Sequence, residues 1–156
     1  MPRRHKKKKR AVITDPVYNN RLIELVVCQL MRQGKKSLAY RIIYESMNKI
    51  AEKTQKDPLI IIEQAIRNLI PLVEVQARRI RGSTYQVPLE VQSERGIALA
   101  IRWIVTAARN RTAKTMVQKL TSELLEASKK SGGAIRKRDQ VQKMAETNKV
   151  FAKFRY

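Results

Sequence analysis

Apolar residues recur at helical spacing along most of the chain, and one stretch breaks that rhythm with strict alternation. After Asp15-Pro16, the residues Leu22, Ile23, Leu25, Val26, Val27, Leu30 and Met31 are apolar on nearly all sides. That pattern predicts a first helix surrounded by neighbours and central to the fold. Gly34 suits a left-handed cap for it, with Arg32 in the last turn where a cation meets the negative end of the helix dipole. Ala39, Ile43, Met47 and Ile50 predict a second helix over about Ser37 to Lys53. Asp57-Pro58 supplies a cap and a first-turn proline for a third, which carries Ile62, Ala65, Ile66 and Leu69 and is stopped by Pro71. Ser93 is the expected cap of a fourth, with Ile97, Ala100, Ile104 and Ala108 on one side and an end near Asn110. Val117, Leu120, Leu124 and Ala127 predict a fifth, ended by Gly132-Gly133. The last, about Ala134 to Lys149, sets only Ile135, Val141, Met144 and Ala145 against Arg136, Lys137, Arg138 and Lys143, so its polar face needs a partner.

Between the third and fourth helices the period becomes two. Val73, Val75 and Ala77 alternate with Glu74, Gln76 and Arg78; beyond Gly82-Ser83, Tyr85, Val87, Leu89 and Val91 alternate with Gln86, Pro88 and Glu90. This predicts a two-stranded ribbon at about 73–91. Pro88 cannot donate to a ladder and is acceptable on a free edge, so the ribbon is expected to protrude, steadied at its base by Val73, Val75, Leu89 and Val91. The expected fold is mainly α: a bundle of about six helices with a protruding ribbon over residues 15–149, a basic N-terminal arm over 1–14 and a tail over 150–156.

Charge turns this helical domain toward a polyanionic partner. Against 13 Asp and Glu stand 34 Lys and Arg, a formal net charge of +21 on 156 residues, and the arm alone holds Arg3, Arg4, Lys6, Lys7, Lys8, Lys9 and Arg10 without one acid. A block of this kind suits phosphates; a nuclear localisation signal and a plain solvated tail share its composition. No run approaches about 20 apolar residues, which argues against a membrane. The arm lacks the apolar stretch of a secretory signal. One cysteine, Cys28, and one histidine, His5, leave no disulfide, no Cys-cluster or HExxH zinc site and no His-based triad, so no catalytic residue, metal site or cofactor is expected. Cys28 lies in an apolar run and reads as a buried small residue.

The candidate RNA-binding residues fall in five groups. The arm is the first, and Lys35 and Lys36 beside Gly34 are the second. At the ribbon tip Arg78, Arg79, Arg81 and Tyr85 bring guanidinium forks and a stacking ring together, where an ordinary charged turn would only discourage edge pairing. On the fourth helix Arg95, Arg102 and Arg109 recur every seven residues and so share a face; Arg111, Lys114 and Lys119 extend the sign with few acids between. Arg136, Lys137, Arg138 and Lys143 on the last helix are the fifth group. Trp103 is most often a core or half-core ring in such a setting.

At this point the residues resemble a known family. Asp15-Pro16, Gly34-Lys35-Lys36-Ser37, Ala77-Arg78-Arg79 with Gly82-Ser83-Thr84-Tyr85-Gln86-Val87-Pro88, Ala100-Ile101-Arg102-Trp103, and Met144-Ala145-Glu146 with Asn148 and Phe151 are similar, in order and spacing, to bacterial-type small-subunit ribosomal protein seven. The resemblance covers almost the whole chain. It implies a non-catalytic helical bundle bound to the 3′ major domain of small-subunit rRNA, nucleating assembly of the head. It also implies ribosomal protein neighbours in the head and platform, and a place near exit-site tRNA and the mRNA path. Ile80-Arg81 at the ribbon tip, Asn110 and Thr112-Ala113 after the fourth helix, and Gln142, Thr147, Lys149 and Val150 depart from the family pattern. Those relaxed signatures, the basic arm and the Tyr156 ending look more like a plastid-encoded copy than a free-living bacterial one. The implied location is a ribosome in the plastid stroma, with bacterial cytoplasm as the alternative. Outside the resemblance, a DNA-organising protein would want a major-groove helix and dimer symmetry, and an RNA-cleaving enzyme would want the His, Cys or paired carboxylates that are missing.

Overall fold

A computed structural model of the chain describes residues 13–80 and 82–154. Six helices and one hairpin follow in order: α1 Arg21–Leu30, α2 Lys36–Thr54, α3 Pro58–Leu69, β1 Val73–Ile80, β2 Ser83–Glu90, α4 Ser93–Asn110, α5 Met116–Ser128 and α6 Gly133–Thr147. The mainly helical bundle with a ribbon is the architecture expected from the pattern. The arm residues 1–12 lie outside the described residues. Lys149, expected to end the last helix, and residues 150–154, expected as part of a tail, form a 3-10 helix.

The starts of the helices follow local side-chain chemistry. Asn20 accepts from the Leu22 amide at 2.8 Å, Asp57 from the Leu59 amide at 2.9 Å ahead of Pro58, and Thr115 from the Gln118 amide at 3.3 Å. The expected Ser93 cap is displaced by one: Gln92 is the cap residue, without a side-chain bond, and Ser93 opens the helix. Gly34 is left-handed at φ 74°, but it does not cap α1. That helix ends at Leu30, and Gln33 at φ 53° turns the chain together with Gly34 into α2.

The core runs between all six helices, with Ile23, Val26 and Val27 of α1 and Ala134 and Ile135 of α6 joining the buried side chains of α2 to α5. Met47, Ile50, Ala65, Leu69, Ala100, Ile104, Val105, Ala108, Leu120 and Ala127 are fully buried. The central helix is α5, which packs on α2, α3, α4 and α6, whereas α1 packs chiefly on α2 and α4. The continuous apolar run of α1 overstated its burial: Leu22 and Leu25 are half-buried and Cys28 is exposed, so the expectation of a buried Cys28 is corrected. Gly96 lets α4 approach the end of α3, since a Cβ there would stand 3.0 Å from Ile70 Cγ2.

In the ribbon β1 and β2 pair antiparallel, with Val75 opposite Pro88, Ala77 opposite Gln86 and Arg78 opposite Tyr85. Gly82 turns the chain at φ 89°. The base of the ribbon is more covered than expected. β1 packs on α6, β2 packs on the 3-10 helix, and the Tyr85 ring lies 5.2 Å from the Phe151 ring. Val87 and Pro88 are buried in succession, which means both faces are covered there, while Val73, Val75, Leu89 and Val91 are only half-buried.

Candidate nucleic-acid interface

The fold divides the basic residues into those held internally and those that face solvent. Four helix ends are closed by polar side chains from neighbouring elements. Arg109 Nη2 donates to the Leu30 carbonyl at 3.2 Å, at the end of α1. Lys119 Nζ donates to the Arg109 carbonyl at 3.4 Å, at the end of α4, and Arg138 Nη1 donates to the Asn68 carbonyl in the last turn of α3. Asn68 Nδ2 donates in turn to Ala127 at 3.0 Å and Ser128 at 2.9 Å, at the end of α5. The last carbonyls of a helix lack partners and carry the negative end of its dipole, so cations there satisfy both needs.

Arg111 is the most strongly committed cation. Its Nε donates to Glu123 Oε2 at 2.5 Å and its two terminal nitrogens to Glu126. Glu123 is fully buried, and its other oxygen accepts the Ala134 amide at 2.8 Å in the first turn of α6. The bond to Glu126 outweighs burial and holds the Arg111 pKa up, and the same bond holds Glu126 below the ordinary carboxylate value. Gly132 sits at φ 100°, where a Cβ would come within 3.1 Å of the Glu123 and Glu126 oxygens. The glycine pair that ends α5 in sequence therefore also makes room for this knot.

A second polar cluster fixes the α1–α2 junction. Burial raises the Glu24 carboxyl, but hydrogen bonds from Lys36 at 2.6 Å and Tyr40 at 2.5 Å outweigh it, and the pKa is lowered. Asp15, also buried, accepts the Val17 and Tyr18 amides and the Tyr44 hydroxyl at 2.7 Å, and the Tyr44 pKa is pushed up by burial and by that bond. Asp15-Pro16 thus acts as a tether for the chain ahead of α1. Cys28 donates to Glu24 at 3.6 Å, and its thiol pKa is raised by partial desolvation against the helix surface and by that carboxylate, opposite to the shift that would activate a nucleophile.

The candidate residues are distributed accordingly. Lys35, Arg79, Arg102, Lys114, Arg136, Lys137 and Lys143 are exposed. Lys36 pairs with Glu24 yet keeps 46% of its side chain exposed, and Arg95 forms a surface pair with Glu74 at 2.8 Å. Arg109, Arg111, Lys119 and Arg138 are the helix-end and knot residues just described, so the seven-residue row on α4 carries three different jobs at Arg95, Arg102 and Arg109. Arg78 is half-buried, and Tyr85 faces Phe151 rather than standing clear as a stacking platform. Arg3, Arg4, Lys6, Lys7, Lys8, Lys9, Arg10 and Arg81 lie outside the described residues. Trp103 is half-buried against the core. Arg32, read only as a dipole partner from sequence, is exposed beside Lys35, and its place next to Gly34-Lys35-Lys36 was the signal that it belongs to that basic turn. Among the described residues no group of His, Cys, Asp and Glu could hold a metal ion, and no helix is long and apolar enough to cross a membrane.

Comparison with known proteins identifies the family of this helical frame. The family model described as ribosomal protein S7p/S5e matches residues 2–149. Over 156 residues, covering the whole of both chains, the protein is 67% identical to small ribosomal subunit protein uS7c of Chlorella vulgaris and 63% identical to that of Prototheca wickerhamii. It is 54% identical, again over both full lengths, to small ribosomal subunit protein uS7 of the cyanobacterium Acaryochloris marina. The chain therefore belongs to the ribosomal protein S7p/S5e family, in its bacterial-like, plastid type.

Proposed function

We propose that the protein is a non-catalytic structural component of the small subunit of a plastid ribosome, and that it binds the 3′ major domain of small-subunit rRNA directly and nucleates assembly of the head. The observation that carries this reading is the surplus of solvent-facing cations on a frame already satisfied by internal ones. Arg109, Arg111, Lys119 and Arg138 complete the fold, while Lys35, Arg102, Lys114, Arg136, Lys137 and Lys143 remain at the surface. Phosphate neutralisation by such residues fixes a protein on RNA, and unpaired junction bases add recognition of shape. In this reading Arg3, Arg4, Lys6, Lys7, Lys8, Lys9 and Arg10 add further phosphate contacts, and the stroma is the compartment.

The ribbon carries a second part of the proposal. Its base is packed on α6 and the 3-10 helix, leaving Arg79 exposed toward the tip, which suits a reach toward exit-site tRNA and the mRNA path. The rRNA reading is tested by chemical footprinting of a transcript of plastid small-subunit rRNA with the protein alone. Protections confined to the 3′ major domain are expected, and their absence there would overturn it. Cutting the ribbon back to Ala77 and Gln86 should leave those protections in place and speed tRNA dissociation from the exit site of assembled ribosomes.

A further inference from the structure

Three tyrosines meet where the chain enters the fold. The Tyr40 and Tyr44 rings stack with centroids 5.8 Å apart, and the Tyr18 ring lies 6.1 Å from Tyr44. Pro16, Val17, Tyr40, Tyr44 and Glu45 line a groove along the first half of α2, with Arg41 on its rim. Both of its hydroxyls are spent inward: Tyr40 donates to the buried Glu24 and Tyr44 to the buried Asp15. The groove is left with ring faces and aliphatic edges, and Val17 is 65% exposed there. A phenol that donates to a carboxylate has a more negative ring face, which attracts a cation. Lys36 already stands 5.3 Å from the Tyr40 centroid. Glu45 is exposed and enters none of the ion pairs among the described residues. Its carboxylate balances the Arg41 guanidinium, so this groove lacks the cation surplus of a phosphate site.

Position selects the occupant. Asp15 takes the Tyr44 hydroxyl at 2.7 Å, so the chain ahead of Asp15 starts within one side chain of the groove. From Asp15 back to Arg10 an extended chain reaches about 17 Å. Tyr40 to Glu45 covers only about 8 Å of helix. The segment Lys6-Lys7-Lys8-Lys9-Arg10-Ala11-Val12 joins a cationic run to two small apolar residues, which matches ring faces and one carboxylate beside Val17. We propose that in the protein free of RNA the N-terminal arm lies back in this groove, with Ala11 and Val12 against Val17, Arg10 on the Tyr40 and Tyr44 faces and a lysine at Glu45. Each phosphate that takes the arm must displace this contact, so the groove sets how readily the arm is given up. The docking concerns the free protein and stands apart from the rRNA-binding reading above.

The test uses the unaltered full chain, dilute, at low salt and without RNA, treated with a water-soluble carbodiimide. That reagent joins a carboxylate to a lysine amine only where the two touch. Mass spectrometry of the monomeric product should find Glu45 joined to Lys6, Lys7, Lys8 or Lys9, a readout that does not depend on how any variant folds. Tyr40→Leu should lower the yield of that product about two- to fivefold through loss of the ring face, whereas Tyr40→Phe should keep most of it. Arm lysines joined to other carboxylates and not to Glu45, or an equal yield in Tyr40→Leu and the unaltered chain, overturn the docking. An excess of a transcript of the 3′ major domain should suppress the Glu45 product. If the product forms without RNA and persists on the bound complex, the docking stands and the arm's share of rRNA binding falls. If it never forms while the transcript binds normally, the docking falls and the rRNA reading stands.

Discussion

Arg109 donates from Nη2 to the carbonyl oxygen of Leu30 at 3.2 Å, so a side chain in the last turn of α4 closes the end of α1. Arg102, seven residues earlier on the same helix, is exposed. One sequence period thus serves two physical ends. Arg109→Gln should lower the free energy of unfolding by about 1–2 kcal/mol through loss of a charged hydrogen bond, whereas Arg102→Gln should stay within about 0.5 kcal/mol. Urea denaturation of the two variants side by side checks this, and equal effects would contradict the division.

The knot at Arg111 makes a sharper demand. Arg111→Gln leaves Glu123, with 1% of its side chain exposed, without its charge partner, and removing one member of a buried pair costs about 3–5 kcal/mol. Because Arg111 itself keeps 24% exposure, the low end of that range is expected. Adding Glu123→Gln should recover part of the loss. Two losses that simply add would show that the residues do not depend on each other.

Acid should loosen both carboxylate clusters. The pKa values of Glu24 and Glu126 are lowered from 4.5 in the folded protein, so each group binds protons more readily when unfolded. Their contribution to stability is therefore fully present above about pH 4.5 and is lost as pH falls through the lower folded values. Thermal unfolding followed between pH 7 and pH 3 should show a decline beginning near pH 4.5, and Glu24→Gln should make it shallower. An unchanged pH dependence in that variant would contradict the assignment.

The C-terminal 3-10 helix should act as a brace for the ribbon. Tyr85 meets Phe151 with ring centroids 5.2 Å apart, and Asn148 donates to Gln86 at 3.3 Å. Phe151→Ala should raise amide hydrogen exchange in β2 around Gln86 and Val87 while leaving α2 to α5 protected. Uniform exchange changes across the helices would show instead that this contact supports the whole fold.

Much of this was legible in the chain, for identifiable reasons. Asp57-Pro58 and the period-two stretch from Val73 report local geometry, which the sequence carries directly, and the helix positions followed. The centrality of α5 over α1 was hidden, because apolar content does not say how many neighbours a helix meets: Cys28 sits in an apolar run and is exposed. Among the basic residues, type and spacing identified a polyanion-binding protein but could not separate Arg109 from Arg102. What separates them is the carbonyl of Leu30, 79 positions away in sequence. Tyr85 looked like a free ring because its partner Phe151 lies in a segment without periodicity.

The central claim is that cations left over after the fold is satisfied hold the protein on rRNA. The most direct measurement is the affinity for a transcript of the 3′ major domain as a function of salt, for the full chain and for a chain lacking residues 1–10. That deleted stretch contains seven Lys and Arg and no Asp or Glu. Each lost phosphate contact lowers the slope of log K against log salt by about 0.7 to 0.9, so the account predicts a steep slope for the full chain and one flattened by roughly three to five in the shortened chain, with helix content unchanged. An equal slope in the two chains, or tight binding indifferent to salt, would contradict it.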